Sequence, residues 1–108
     1  MSFTTNRVQV ISDGILSDPS FNFRSSRTTG LFQPVTGNLG LVASGVKIAT
    51  AKGGGLTIDT GVLSLQDGTV SLPSLTFDSD PNTGLFSVTG DQIGITTGGT
   101  RRLLLNAT

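Results

Sequence analysis

Cysteine, histidine, tryptophan, tyrosine and glutamate are all absent from the 108 residues. Without cysteine the chain has neither a disulfide framework nor a thiolate metal site. Without histidine or cysteine it lacks the commonest general base, the thiol nucleophile and the Ser-His-Asp triad. Paired aspartates could still run glycosidase chemistry, but a glycan-cleaving cleft needs aromatic platforms, and neither Trp nor Tyr is there to build them. No enzyme and no cofactor is expected. Charge is equally thin: seven Lys plus Arg stand against seven acidic residues, every one an Asp. The densest basic cluster is Arg101-Arg102, too little for a duplex or an anionic membrane, so neither nucleic acid nor membrane is an expected partner. The N-terminus MSFTTNRVQV has no basic segment followed by a long apolar run, and no stretch approaches the ~18 apolar residues of a spanning helix. Neither a signal peptide nor a transmembrane helix is expected.

The scarcity of large rings bears on burial. Six Phe are the only aromatics, and a chain this short is already poor at hiding surface. With disulfides excluded, oligomerisation is the remaining way to stabilise so small a core.

What is present is a repeat. Shifting the chain by 54 positions lays VQVISDGILSDPSFNFRSSRTTGLF (8–32) over VLSLQDGTVSLPSLTFDSDPNTGLF (62–86) without a gap. Asp13-Gly14, Pro19-Ser20, Phe23 and Thr29-Gly30-Leu31-Phe32 fall on Asp67-Gly68, Pro73-Ser74, Phe77 and Thr83-Gly84-Leu85-Phe86. Beyond Phe32 the alignment of VTGNLGLVASG (35–45) with VTGDQIGITTGG (88–99) asks for one residue dropped before Val35 and one added near Gln92. Two tandem units of about 54 residues follow: a first β unit at 1–52 with an N-terminal arm, a glycine hinge at 53–55, and a second β unit at 56–108.

The expected fold class is all-β. Glu is missing, glycines are scattered, and about a quarter of the residues are Ser or Thr, which suits short pleated strands and not helices. Alternation in Leu56-Thr57-Ile58-Asp59 and Val62-Leu63-Ser64-Leu65-Gln66 predicts strands. Asp13-Gly14, Asp67-Gly68, Thr36-Gly37-Asn38 and Thr89-Gly90-Asp91 predict turns, and Gly30 and Gly84 are read as turn glycines beside Gly14 and Gly68. SDPN in SDPNTGLF (79–86) reads as a solvated turn and TGLF as the start of a packed strand. The terminal RRLLLNAT fits either a helical turn or a last strand. One sheet of this kind has long edges that invite pairing. Three chains wrapped on an axis would close them, with a thin shared core of Phe23, Leu31, Phe32, Phe77, Leu85 and Phe86; a dimer or a solenoid also fits the composition.

Asp78-Ser79-Asp80-Pro81-Asn82 places oxygen ligands at alternate positions, as calcium loops do. Thr83 and Thr89 stand where an EF-hand loop requires Gly and Glu, and the first copy carries no carboxylate in the equivalent loop, so no metal site is expected. Arg101-Arg102 is read as a solvated pair, and Gly53-Gly54-Gly55 lacks the strand-before, helix-after context of a phosphate loop.

The succession PS-x-x-F-x-x-x-x-x-TG-L-F, then VTG, a Gly-x-hydrophobic strand and the closing TTGGTRRLLLN, resembles a repeat of structural proteins in tailed bacteriophages, especially fibres and decorations of cyanophage and marine phage virions. The likeness is good over 62–106 and looser over 8–48, where Arg24, Ser26 and Arg27 replace Asp78, Asp80 and Pro81. It implies a trimeric, β-rich, non-catalytic virion component assembled in the host cytoplasm and docked on the particle through its N-terminal arm, MSFTTNRVQV. Two units leave no room for both the shaft and the tip of a long tail fibre. A capsid decoration or cement protein, or a short head fibre, is therefore expected, with the major capsid protein or another virion protein as partner. A tail or neck fibre segment with a glycan-binding module is the alternative.

Overall fold

The computed structural model describes residues 12–106, and every regular element in it is a strand. The arm MSFTTNRVQV therefore lies outside the described residues. The chain divides into two compact units between Leu63 and Ser64.

In the first unit a two-residue strand pair, β1 (Gly14–Ile15) and β2 (Asp18–Pro19), precedes a five-stranded antiparallel meander. The meander runs β3 (Phe21–Phe23), β4 (Ser26–Phe32), β5 (Leu39–Ala43), β6 (Val46–Lys52) and β7 (Gly55–Ile58). In the second unit a single bridge from Gly68 to Pro73 stands in place of the small pair. It is followed by a four-stranded meander of β8 (Leu75–Phe77), β9 (Asp80–Ser87), β10 (Ile93–Thr97) and β11 (Thr100–Leu105). The terminal RRLLL is thus a strand.

Hairpin chemistry explains the connections. Ser44 and Gly45 between β5 and β6 have φ of 50° and 79°, and Gly98 and Gly99 between β10 and β11 have 58° and 77°. Two consecutive positive φ values make the two-residue turn whose twist matches the flanking strands, and Gly occupies it without a steric penalty. Asn38 N–H donates to Val35 O at 2.9 Å, and Gln92 N–H to Thr89 O at 3.2 Å. These turns sit 54 residues apart with no gap, so Asp91 (φ 61°) occupies the place of Gly37 (φ 91°). The two VTG triplets, which sequence alignment superposes by inserting a gap, are one position out of structural step.

Several expected elements differ. Gly53-Gly54-Gly55 is not a hinge between units: Lys52 pairs with Gly55 and Ala49 with Ile58, so the glycines turn the β6–β7 hairpin inside the first unit. Three glycines serve a tight reversal as readily as a flexible link. Val62–Gln66 forms no strand, because alternation alone supplies no hydrogen-bonding partner. Asp80, Pro81 and Asn82 belong to β9, and the turn before them is Asp78-Ser79. Gly14 and Gly68 have φ of 77° and 71°, but they stand before the reversals. The chain turns at Leu16-Ser17 in one case and, in the other, between Thr69 and Leu72, whose backbone groups bond each other.

Candidate functional site

The TGLF tetrapeptides at 29–32 and 83–86 show how four consecutive residues acquire four different tasks. The Thr29 hydroxyl accepts from the Ser44 N–H at 3.0 Å, and the Thr83 hydroxyl from the Gly98 N–H at 3.1 Å. Alongside, Gly45 N–H donates to Thr28 O and Gly99 N–H to Asn82 O, both at 2.9 Å. Each Thr thereby ties a neighbouring hairpin turn to its own strand.

Gly30 and Gly84 are mid-strand residues, not turn residues. Gly30 pairs with Asn22 and Gly84 with Thr76, each next to a register shift. A Cβ at Gly30 would overlap the Phe21 carbonyl oxygen, and one at Gly84 the Leu75 carbonyl oxygen. The glycine is there because one backbone comes against another.

Leu31 and Phe32 then diverge, since adjacent strand residues point to opposite faces. Phe32 and Phe86 are buried, 6% and 8% exposed. Their rings lie over glycine: a Cβ at Gly40 would come within 2.5 Å of the Phe32 ring, and one at Gly94 within 2.5 Å of that of Phe86. This face is closed by the preceding segment of the same unit. Gln33 N–H donates to Asp13 O at 2.7 Å and Ser87 N–H to Asp67 O at 2.8 Å. Thr96, fully buried, donates its hydroxyl to Val70 O at 2.9 Å. Val42 is buried at the first unit's corresponding place. Phe32 and Phe86, expected in a core shared between chains, are thus consumed within their own units.

The opposite face of each sheet is open. In the second unit one cross-strand row runs Leu75, Leu85, Ile95, Leu103 over all four strands, with Ile93 and Leu105 paired beside it. In the first, Phe21, Leu31, Leu41, Ala49 and Ile58 form the corresponding row over five strands, with Phe21 and Leu41 exposed, Leu31 and Ile58 half-buried and Ala49 buried. Strands β5 and β10 make the contrast plain. Leu39, Leu41 and Ile93 are exposed while the residues between them are buried, so the outward positions are apolar where a solvated face would carry polar groups. Leu31, half-buried, and Leu85, 38% exposed, lie on this face. Phe23 and Phe77 are exposed at 54% and 63%, beyond the register shifts that follow Asn22 and Thr76. Phe21 and Phe23 meet edge to face at 6.1 Å.

Polar groups are arranged for structure. Lys47 Nζ lies 3.7 Å from Asp59 Oδ1, and the buried Thr50 hydroxyl donates to Asp59 Oδ2 at 2.6 Å. Gln33 bridges the first unit's groove rim, donating to Asp13 Oδ1 at 2.9 Å and accepting from the Gly37 N–H at 3.0 Å. That groove, of about 750 Å³, is lined by Phe21, Leu31, Leu39 and Ala51. Its counterpart beside Leu75, Leu85 and Ile93 shrinks to about 210 Å³, with Leu65 in its lining. Among the described residues no three metal-ligating side chains gather. Asp78 stands in a turn and Asp80 opens β9.

Sequence reasoning missed the open faces because apolar residues occupy both parities of β4, β5, β9 and β11. The signal was available in the Leu-Phe adjacency: 31 and 32, or 85 and 86, cannot share one core. It also missed Ser44-Gly45 and Gly98-Gly99 as the reversals that Thr29 and Thr83 secure. Comparison of the chain with family models, with curated proteins and with solved structures found no match.

Proposed function

We propose that the chain is a non-enzymatic structural component of a tailed-phage virion, a homotrimeric decoration or cement protein of the capsid or a short head fibre, built from two copies of one repeat of about 54 residues. The observation that carries this reading is the pair of outward apolar sheet faces, one on each unit, formed by residues 54 positions apart. Exposed contiguous apolar surface marks interaction, and uncharged aliphatic faces suit permanent assembly better than reversible recognition of a polar ligand. The repeat is supported further by pairing. All four register shifts, after Asn22, Leu41, Thr76 and Ile95, recur at the same spacing, as do both positive-φ hairpin turns.

The experiment is to purify the protein, mix it with phage shells and image the particles by gold labelling. Label distributed over the shell, with added thermal stability of the shells, is the expected result. Label confined to neck or tail would favour the fibre alternative, and absence of label from every particle would overturn the virion reading.

A further inference from the structure

The open face of β8–β11 has no charged group until its end, where Arg102 Nε donates to Thr97 Oγ1 at 2.8 Å. Its five exposed aliphatics, Leu75, Leu85, Ile93, Leu103 and Leu105, are between 38% and 53% exposed. Together they leave roughly 450 Å² of apolar side chain in water, in the range of the largest patch on an ordinary monomer. At the ~65% apolar content of homo-oligomer interfaces, that corresponds to about 700 Å² per partner, close to the ~800 Å² of a standard interface.

We infer that this face packs against the same face of further copies of the chain, sheet upon sheet, with Leu85 on the inner strand β9 and Leu103 on the edge strand β11 both inside the contact. The inference rests on the homo-oligomeric part of the proposed function and changes its geometry: faces meet, and the axial phenylalanines give way to leucine and isoleucine. Two features single out a second copy as the occupant. The area matches what a stable self-association needs. An uncharged face also meets its own image without opposing like charges, whereas a charged partner would leave its own groups desolvated and unpaired. Sheets packed in this way sit about 10 Å apart with interdigitated side chains, so exposed aliphatics on the inner strand β9 and on the edge strand β11 are both covered.

The test uses the full chain. Light scattering and sedimentation from 1 to 100 µM should give a discrete oligomer for the wild type. Leu85→Glu and Leu103→Glu, each retaining a β-type far-UV spectrum, should raise the dissociation constant at least 100-fold, and Thr60→Glu should leave it unchanged. Because the chain has no cysteine, a Leu103→Cys variant gives a single-thiol probe that needs no charged substitution. Mild oxidation should link it into covalent dimers at least ten times faster than Thr60→Cys. A wild type that stays monomeric at 100 µM overturns the inference, as does an oligomer of unchanged mass in both Glu variants, or equal cross-linking of the two Cys variants. An oligomer that dissociates in both Glu variants but labels no phage particle would support this interface while overturning the virion role.

Discussion

Replacing Gly84 by Ala adds one methyl group and should cost the second unit most of an edge strand. Gly84 has no positive φ, so the backbone itself tolerates alanine and the whole effect is contact. The new Cβ would overlap the Leu75 carbonyl oxygen and lie 2.8 Å from its carbon and 3.1 Å from Thr76 Cα. All three are main-chain atoms that no rotamer change can move, so β8 must withdraw. The pairings of Leu75 with Leu85 and Thr76 with Gly84 then open. Thr76 also loses its hydroxyl bonds to Thr83 O at 3.0 Å and Asp80 O at 3.1 Å. Two ladder bonds at about 1 kcal/mol each, with the cross-strand leucine contact, give about 3 kcal/mol. For a small domain that is a fall in Tm of about 15 °C. Far-UV circular dichroism at fixed protein concentration is the assay, since without Trp or Tyr there is little intrinsic fluorescence to follow. Gly90→Ala, in the same unit and with nothing within 4 Å of the added carbon, should melt within about 2 °C of the wild type. Gly84→Ala melting equally close to wild type would refute the steric reasoning.

Other outcomes follow from burial. Phe86→Ala should destabilise by about 3–4 kcal/mol in urea titration, through the cavity left over Gly94, whereas Phe77→Ala, on an exposed ring, should cost under about 1 kcal/mol. Thr96→Val keeps the volume but strands the Val70 carbonyl, and should cost about 1–2 kcal/mol by the same titration. Thr50→Val should cost about 1 kcal/mol by removing the donor to Asp59. Lys47→Ala, which breaks only a partly exposed ion pair, should cost no more than about 0.5 kcal/mol, and that cost should shrink as salt is added.

The strand class, the hairpin β9–β10 and the 54-residue spacing could be read from the sequence because Thr89-Gly90-Asp91 is a turn signal between two apolar stretches, because glycine, serine and threonine disfavour helix, and because identical residues fall 54 apart. The division of labour inside TGLF could not be read so easily. Sequence identifies Phe32 and Phe86 as large and apolar but not which face they enter, since Leu31 and Leu85 beside them are nearly as apolar. Only the glycine opposite each ring, Gly40 or Gly94, distinguishes the closed face from the open one, and finding it requires the register. The triple glycine misled for a related reason: a turn and a hinge ask the same freedom of the backbone, and the difference lies in whether Leu56–Ile58 finds β6. Val62–Gln66 has the alternation of a strand without a neighbour to complete it.

The close approach of β3 to Gly30 and of β8 to Gly84 lets the two units keep one geometry with different side chains around it. Strands held by main-chain proximity are recognised by the lack of a side chain at one position, not by the identity of the side chains around it. Phe21 can become Leu75, Asn22 can become Thr76, and the chain between them can exchange Arg-Ser-Ser-Arg for Asp-Ser-Asp-Pro, while the strands continue to meet at the same place. A unit anchored in this way keeps its shape while the side chains on its surface differ.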